Sequence, residues 1–146
     1  MKLISLRTVK ESQLFLLTVL LGVFTLSSCA DKSSSVDKYL EETAKTINAS
    51  CPMMLDREIR MDSVTTPVQR SFKYNYTLVN LDRDSVDVEV LKTSLDPVIA
   101  SEIRDNMGLK YLRDNDVTVT YSYNDKNRKH LFDLTYNAGD YKEANP

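Results

Sequence analysis

The strongest constraint on this chain is an uninterrupted apolar run of 13 residues, Leu14 to Leu26 (LFLLTVLLGVFTL). Lys2, Arg7 and Lys10 precede it, and the small residues Ser27 and Ser28 come directly after it. A helix that crosses roughly 30 Å of hydrocarbon needs about 20 apolar residues. The run is too short for that and fits the apolar region of a secretory signal peptide, with its basic start and small-residue end. Residues 1–28 are therefore read as an export signal, and residues 29–146 as a chain that folds outside the inner membrane.

Leu26-Ser27-Ser28-Cys29 places an aliphatic residue and two small ones directly before a cysteine. This resembles the lipobox of bacterial lipoproteins. The resemblance implies that the Cys29 thiol is joined to a diacylglyceryl group, that the chain is cut before Cys29, and that the new amino terminus is acylated, palmitate being a chain of the expected kind. Each buried methylene contributes about 0.8 kcal/mol, so several acyl chains anchor a protein where one is marginal. Ser28-Cys29-Ala30 also satisfies the small-x-small pattern for ordinary cleavage after Ala30. The resemblance covers the signal and these four residues and says nothing of the rest.

Residues 29–146 number 118, enough for one domain with a modest core. Without the signal, 16 basic and 20 acidic side chains remain, a net charge of −4. No basic stripe of the kind that binds nucleic acid stands out. Acylation of Cys29 would leave Cys51 alone, so a disulfide framework is not expected. Residues 29–35 are polar and small, as in a flexible tether, and residues 36–146 read as a single α+β domain.

Within that domain Val36, Tyr39, Leu40, Ala44 and Ile47 recur at helical steps, predicting a helix over Val36 to Asn48. Pro52 then breaks the helix, and Cys51 to Val64 reads as one edge strand. Ser71 to Leu81 alternates cleanly, with Phe72, Tyr74, Tyr76 and Leu78 on one face and Lys73, Asn75 and Thr77 on the other. After a charged turn, Val88, Leu91, Leu95, Val98, Ile99 and Ile103 predict a second helix, which Pro97 should kink or divide. Gly108 suits its C-cap, followed by an extended piece around Leu109 to Leu112. Val117 to Tyr123 and Leu131 to Tyr136 alternate as two strands around the loop Asn124 to Lys129. The order α-β-β-α-β-β with hairpin-like connections predicts a two-layer fold. In it a four-stranded antiparallel sheet has two helices on its aromatic face.

The chemistry is sparse. His130 is the sole histidine and there are three glycines, which leaves no histidine-based metal set and no glycine-rich phosphate loop. Cys51 and His130 form a nominal nucleophile and base, but a lone cysteine beside proline is more often a small buried residue. Asp82, Asp84, Asp87 and Glu89, like Asp114 and Asp116, lack the spacing and glycine of a calcium loop and read as solvated turns. No cofactor and no catalytic residue is assigned. Asp62-Ser63-Val64 and Asp84-Ser85-Val86 resemble the Asp-Ser/Thr-aliphatic sites of O-glycosylation on exported proteins of some Gram-negative anaerobes, which makes Ser63 and Ser85 candidate acceptors.

The resulting expectation is a non-enzymatic lipoprotein of the bacterial envelope, in the periplasm or at the cell surface. It would be held by lipid at Cys29 and act as an adaptor, assembly or surface component with a protein partner, without binding nucleic acid. The alternatives are an immunity or inhibitor protein against a toxin or lytic enzyme, and an enzyme using Cys51 or a carboxylate pair.

Overall fold

The computed structural model describes residues 30–142; Cys29 and residues 1–28, the expected signal, lie outside them. Helix α1 (Ala30–Asn48) starts six residues before the predicted Val36, so residues 30–35, read as a flexible tether, are helical. Val36, Leu40 and Ala44, four residues apart, bury its inner face. Asn48 then fastens the helix to the sheet, its amide donating to the Val64 carbonyl at 2.8 Å and accepting from the Val64 N–H at 2.7 Å. Asp37 accepts from the Arg70 N–H at 2.7 Å.

The segment expected as one strand is two. β1 (Met53–Met54) turns back and pairs antiparallel with β2 (Ile59–Thr65). Asp56 makes the reversal, because its side chain accepts from the N–H groups of both Glu58 and Ile59 at 2.7 Å, the local turn chemistry of aspartate. β2 pairs antiparallel with β3 (Ser71–Leu78), and a register shift between Met61 and Ser63 leaves Asp62 out of the ladder. Its carboxylate takes Arg60 at 2.6 Å and the Thr77 hydroxyl at 2.5 Å.

The main correction concerns the centre of the sheet. β3 and β4 (Thr118–Asn124) run parallel, while β4 and β5 (His130–Tyr136) form the expected antiparallel hairpin. The sheet is five-stranded and mixed, in the order β1-β2-β3-β4-β5. Two parallel neighbours require a crossover, and helix α2 (Val88–Asp105) lies within it. α2 starts on Asp87, whose carboxylate accepts from the N–H groups of Glu89 and Val90, and it runs through Pro97 as one helix rather than two. Beside that proline, the Tyr136 hydroxyl lies 2.5 Å from the Asp96 carboxylate and 3.1 Å from its carbonyl.

Asn106, not Gly108, caps α2. The piece expected to be extended is instead a 3-10 turn (Met107–Leu109) and helix α3 (Lys110–Asp114). Arg113 Nη1 explains the compaction, donating to the carbonyls of Ile103 at 2.6 Å and Asn106 at 2.7 Å, the last acceptors of α2. A last helix, α4 (Ala138–Lys142), sends the buried Tyr141 hydroxyl to the Val117 carbonyl at 3.0 Å.

From Ser33 onward the chain forms one compact unit. Its core holds the predicted aromatic face, with Phe72, Tyr74, Tyr76 and Leu78 joined by Val119, Tyr121, Tyr123, Phe132, Leu134 and Tyr136. The parallel register sets Tyr74 opposite Tyr121 and Tyr76 opposite Tyr123, and their rings stack at 5.2 and 5.4 Å. The other face is polar, as alternation predicted, but four of its residues are buried. Ser71 and Ser122 are covered, Thr77 is roofed by Asp62, and Leu131 is buried where the β4–β5 register shifts.

Candidate functional site

A pocket of about 470 Å³ opens where the β2 and β3 ends meet the first turns of α2. Ile59 and Leu78 are register partners and form one wall, Leu91 and Leu95 of α2 the other, and Leu81 and Val86 close it from the connecting segment. Five of these six side chains are only half-buried. The stripe of α2 is fully buried at Ile103 alone, so its amino-terminal half leaves apolar surface uncovered. Val98, expected in that stripe, is 60% exposed.

The mouth is polar and held in place. Asp82 caps a 3-10 turn (Arg83–Ser85) by accepting from the Asp84 N–H, and it also takes Lys126 Nζ at 3.3 Å and the Asn127 amide at 3.1 Å. The Asp84 hydrogen bond, then Lys126, hold the Asp82 carboxyl below its ordinary value. Asp125, fully buried, accepts from the N–H groups of Arg83, Asn127 and Lys129. Burial alone would raise its pKa, but these hydrogen bonds outweigh it and lower the carboxyl. Asp84 takes Lys129 Nζ at 3.0 Å and pushes that ammonium up, and Arg83 Nη1 donates to the His130 carbonyl. The β4–β5 loop and the 82–85 turn are thereby latched together, and the apolar pocket has a rim that is built in advance.

The acidic runs of the sequence are thus caps and ion-pair partners, and Asp114 pairs with Lys110 on α3. Among the described residues, no three His, Cys, Asp or Glu side chains converge as metal ligands. Cys51 and His130 are not brought together. Cys51 precedes β1 at one sheet edge, and His130 opens β5 at the other, with β2, β3 and β4 between, a span of about 19 Å at 4.8 Å per strand. Burial, then the Asp62 carboxylate, push the Cys51 thiol up, which disfavours the nucleophilic thiolate. His130 instead sits 3.7 Å from Asp133. There burial would raise the carboxyl, but Ser122, Lys73 and His130 together hold it down.

The candidate acceptor serines differ. Ser63 lies in β2 with its hydroxyl 3.2 Å from the Asn75 amide, whereas Ser85 is exposed on the pocket rim. Sequence reasoning missed the pocket as such. Leu91 and Leu95 were visible as a helical stripe, but Leu81 and Val86 were hidden inside a charged turn.

Residues 34–132 match the model of the family described as domain of unknown function DUF8479, and the chain belongs to that family. A sequence search of curated proteins finds no match. Among solved structures, one similar fold is a protein of Pseudomonas aeruginosa described as secreted, 17% identical, with a TM-score of 0.63 over 79% of this chain and 100% of that one. Two pilotins of type 2 secretion systems, EpsS of Vibrio vulnificus and AspS of Vibrio cholerae, are each 10% identical with a TM-score of 0.58. They cover 77% and 76% of this chain and 96% of their own. At these identities the likeness is one of fold.

Proposed function

We propose that this chain is a lipid-anchored protein of the bacterial envelope, acylated at Cys29, whose domain is a non-enzymatic adaptor or assembly factor. An apolar segment of an envelope protein partner would seat in the pocket between Ile59, Leu78 and the start of α2. The observation that carries this reading is the pocket itself, an apolar cleft whose rim is fixed by Asp82, Asp125 and their partners before anything binds. A rigid rim lowers the ordering cost of association. The fold shared with two type 2 secretion pilotins supports an assembly role, and the separation of Cys51 from His130 removes the one nucleophile–base pair that the sequence offered. Confinement at a membrane would raise the effective concentration of the domain toward partners on the same surface.

Complementation of a strain lacking the gene tests this, with each variant checked for wild-type abundance. Cys29→Ser is expected to abolish palmitate labelling and function, and Leu91→Asp to abolish function with labelling intact, while His130→Ala complements. Equal labelling of wild type and Cys29→Ser would remove the anchor. Full function of Leu91→Asp would remove the pocket, and failure of a folded His130→Ala would return catalysis to consideration.

A further inference from the structure

The mouth of the pocket is not electrically balanced. Its charged lining side chains are Glu58, Asp82 and Lys126. Asp82 and Lys126 pair with each other at 3.3 Å, so their charges cancel at short range. Glu58 is left over. Among the described residues its carboxylate meets no cation and accepts no hydrogen bond, and Arg57, the base next to it in sequence, does not line the pocket. The neighbouring carboxylates are all engaged. Asp84 holds Lys129, Asp125 accepts from three N–H groups, Asp87 caps α2 and Asp56 makes the β1–β2 turn. The Glu58 backbone is fixed as well, its N–H donating to Asp56 at 2.7 Å and its carbonyl accepting from the Val79 N–H at 2.9 Å. An exposed carboxylate is thereby held at the edge of an apolar cleft with nothing of its own chain to neutralise it.

The apolar surface also extends past the pocket on this side. The register that sets Met53 opposite Met61 and Met54 opposite Arg60 continues to Leu55 opposite Ile59, where the Leu55 N–H donates to the Ile59 carbonyl at 2.9 Å. Directly opposed residues project to the same face, and Ile59 is in turn opposite Leu78. Leu55, Ile59 and Leu78 therefore form one row across three strands, about 10 Å long at 4.8 Å per strand. The row leads from an exposed ledge into the cleft, since Leu55 is 47% exposed while Ile59 and Leu78 line the wall. Cleft and ledge together are longer than one side chain.

Resting on the adaptor reading above, we propose that the partner's segment is basic as well as apolar: it lays apolar side chains over Leu55 and into the pocket, and Glu58 selects it by meeting a lysine or arginine beside them. A segment seated on this row displaces water from the mouth. A carboxylate that loses water without gaining a partner is penalised, so an uncharged segment leaves Glu58 at a cost and an acidic one is repelled. A cation at that place removes the penalty. Selection works by rejection of the wrong segment as much as by attraction of the right one. Asp82 cannot take this part, because Lys126, the Asn127 amide and the Asp84 N–H already occupy it.

The test uses the full chain, expressed with its signal and purified in phosphatidylcholine nanodiscs, and fluorescence polarisation of labelled peptides. The peptides share a pair of leucines and differ only in whether lysine, serine or glutamate flanks them. The lysine peptide is expected to bind roughly three- to five-fold tighter than the serine peptide, the worth of one partly exposed ion pair, and the glutamate peptide weakest of all. Added salt should compress the order. Glu58→Gln should bring the lysine peptide down to the serine peptide, and Leu55→Ser should weaken all three while keeping their order. Leu91→Asp should abolish binding of every peptide. The proposal falls if the lysine peptide binds no tighter than the serine peptide, or if Glu58→Gln keeps the preference; in either case the pocket reading stands as long as Leu91→Asp abolishes binding. Wild-type binding by Leu55→Ser would remove the ledge from the site. If no peptide binds the native chain, the pocket reading itself falls.

Discussion

Replacing Phe72 by alanine is the sharpest check on how the sheet faces are disposed. Phe72 is 1% exposed, is the largest fully buried side chain, and meets the Tyr74 ring edge-on at 5.1 Å. Burying a side chain of this size contributes about 1.5–3 kcal/mol by transfer alone. The cavity left behind adds to the loss, so that Phe→Ala in a core costs roughly 3–5 kcal/mol. At this domain size each kcal/mol lowers the melting temperature by about 4 °C, which gives a drop of about 12–20 °C. Lys73, the next residue, points to the other face. Its ion pair with Asp133 spans 3.1 Å with both side chains about a third exposed, and pairs of that kind contribute about 0–1 kcal/mol. Urea unfolding monitored by circular dichroism, with equal m-values as the sign of a shared mechanism, compares the two. If Lys73→Ala costs as much as Phe72→Ala, the aromatic face is not the core and the packing argument is wrong.

Two further outcomes are expected. Tyr136→Phe removes the buried hydroxyl that meets the exposed Asp96 beside Pro97, so urea unfolding should show a loss of about 0.5–1.5 kcal/mol; no change would mean that water replaces the bond. Burial holds Tyr74, Tyr123 and Tyr141 protonated up to about 12, whereas unfolded tyrosines ionise near 10. The unfolded state therefore binds fewer protons between about pH 10 and 12, and stability present below pH 10 falls by about 1.4 kcal/mol per pH unit for each such tyrosine. Absorbance of tyrosinate should rise together with unfolding, and a rise that precedes it would show that these rings are wetter than their burial indicates.

The readable and unreadable parts of the sequence differ in how locally each is encoded. β3, β4 and β5 were legible because alternation with period two reports one buried face directly, and Phe72, Tyr74, Tyr76, Tyr121 and Tyr123 all face the core. Strand direction has no such signature, and nothing in Val119-Thr120-Tyr121 reveals whether its neighbour runs with it or against it. β1 was lost because two residues cannot show a period, and the Asp56 turn that creates it sits among charged residues that resemble a loop. α3 was misread because its own Arg113 reaches back ten residues to the Ile103 carbonyl and so compacts it onto α2, a contact that no local pattern displays. At the candidate site, the caps Asp82 and Asp87 can be read from position, but the contribution of Asp125 cannot, since its partners Arg83 and Lys129 meet only when two loops are placed side by side.

The unexpected strand direction is also what makes the pocket. Had β3 and β4 run antiparallel, a short hairpin could have joined them at the Leu78 end and sealed it. Because they run parallel, the chain must leave β3 at Leu78, cross the sheet, and enter β4 at Thr118. Leu81 and Val86 are carried over the end of the sheet, and α2 is laid down starting from there. The helix is anchored at its far end, where Ile103 is wholly buried and Arg113 holds its last carbonyls, and midway by Tyr136 at Asp96. Burial then falls toward Leu95 and Leu91, so a wedge remains between the near end of the helix and the Ile59–Leu78 pair. Filling that wedge from within, by Leu78→Phe or Leu95→Phe, would bury more apolar area without needing a partner. The native chain instead leaves it open and fixes its rim with Asp82, Lys126 and Asp125, an arrangement suited to an apolar segment supplied by another molecule.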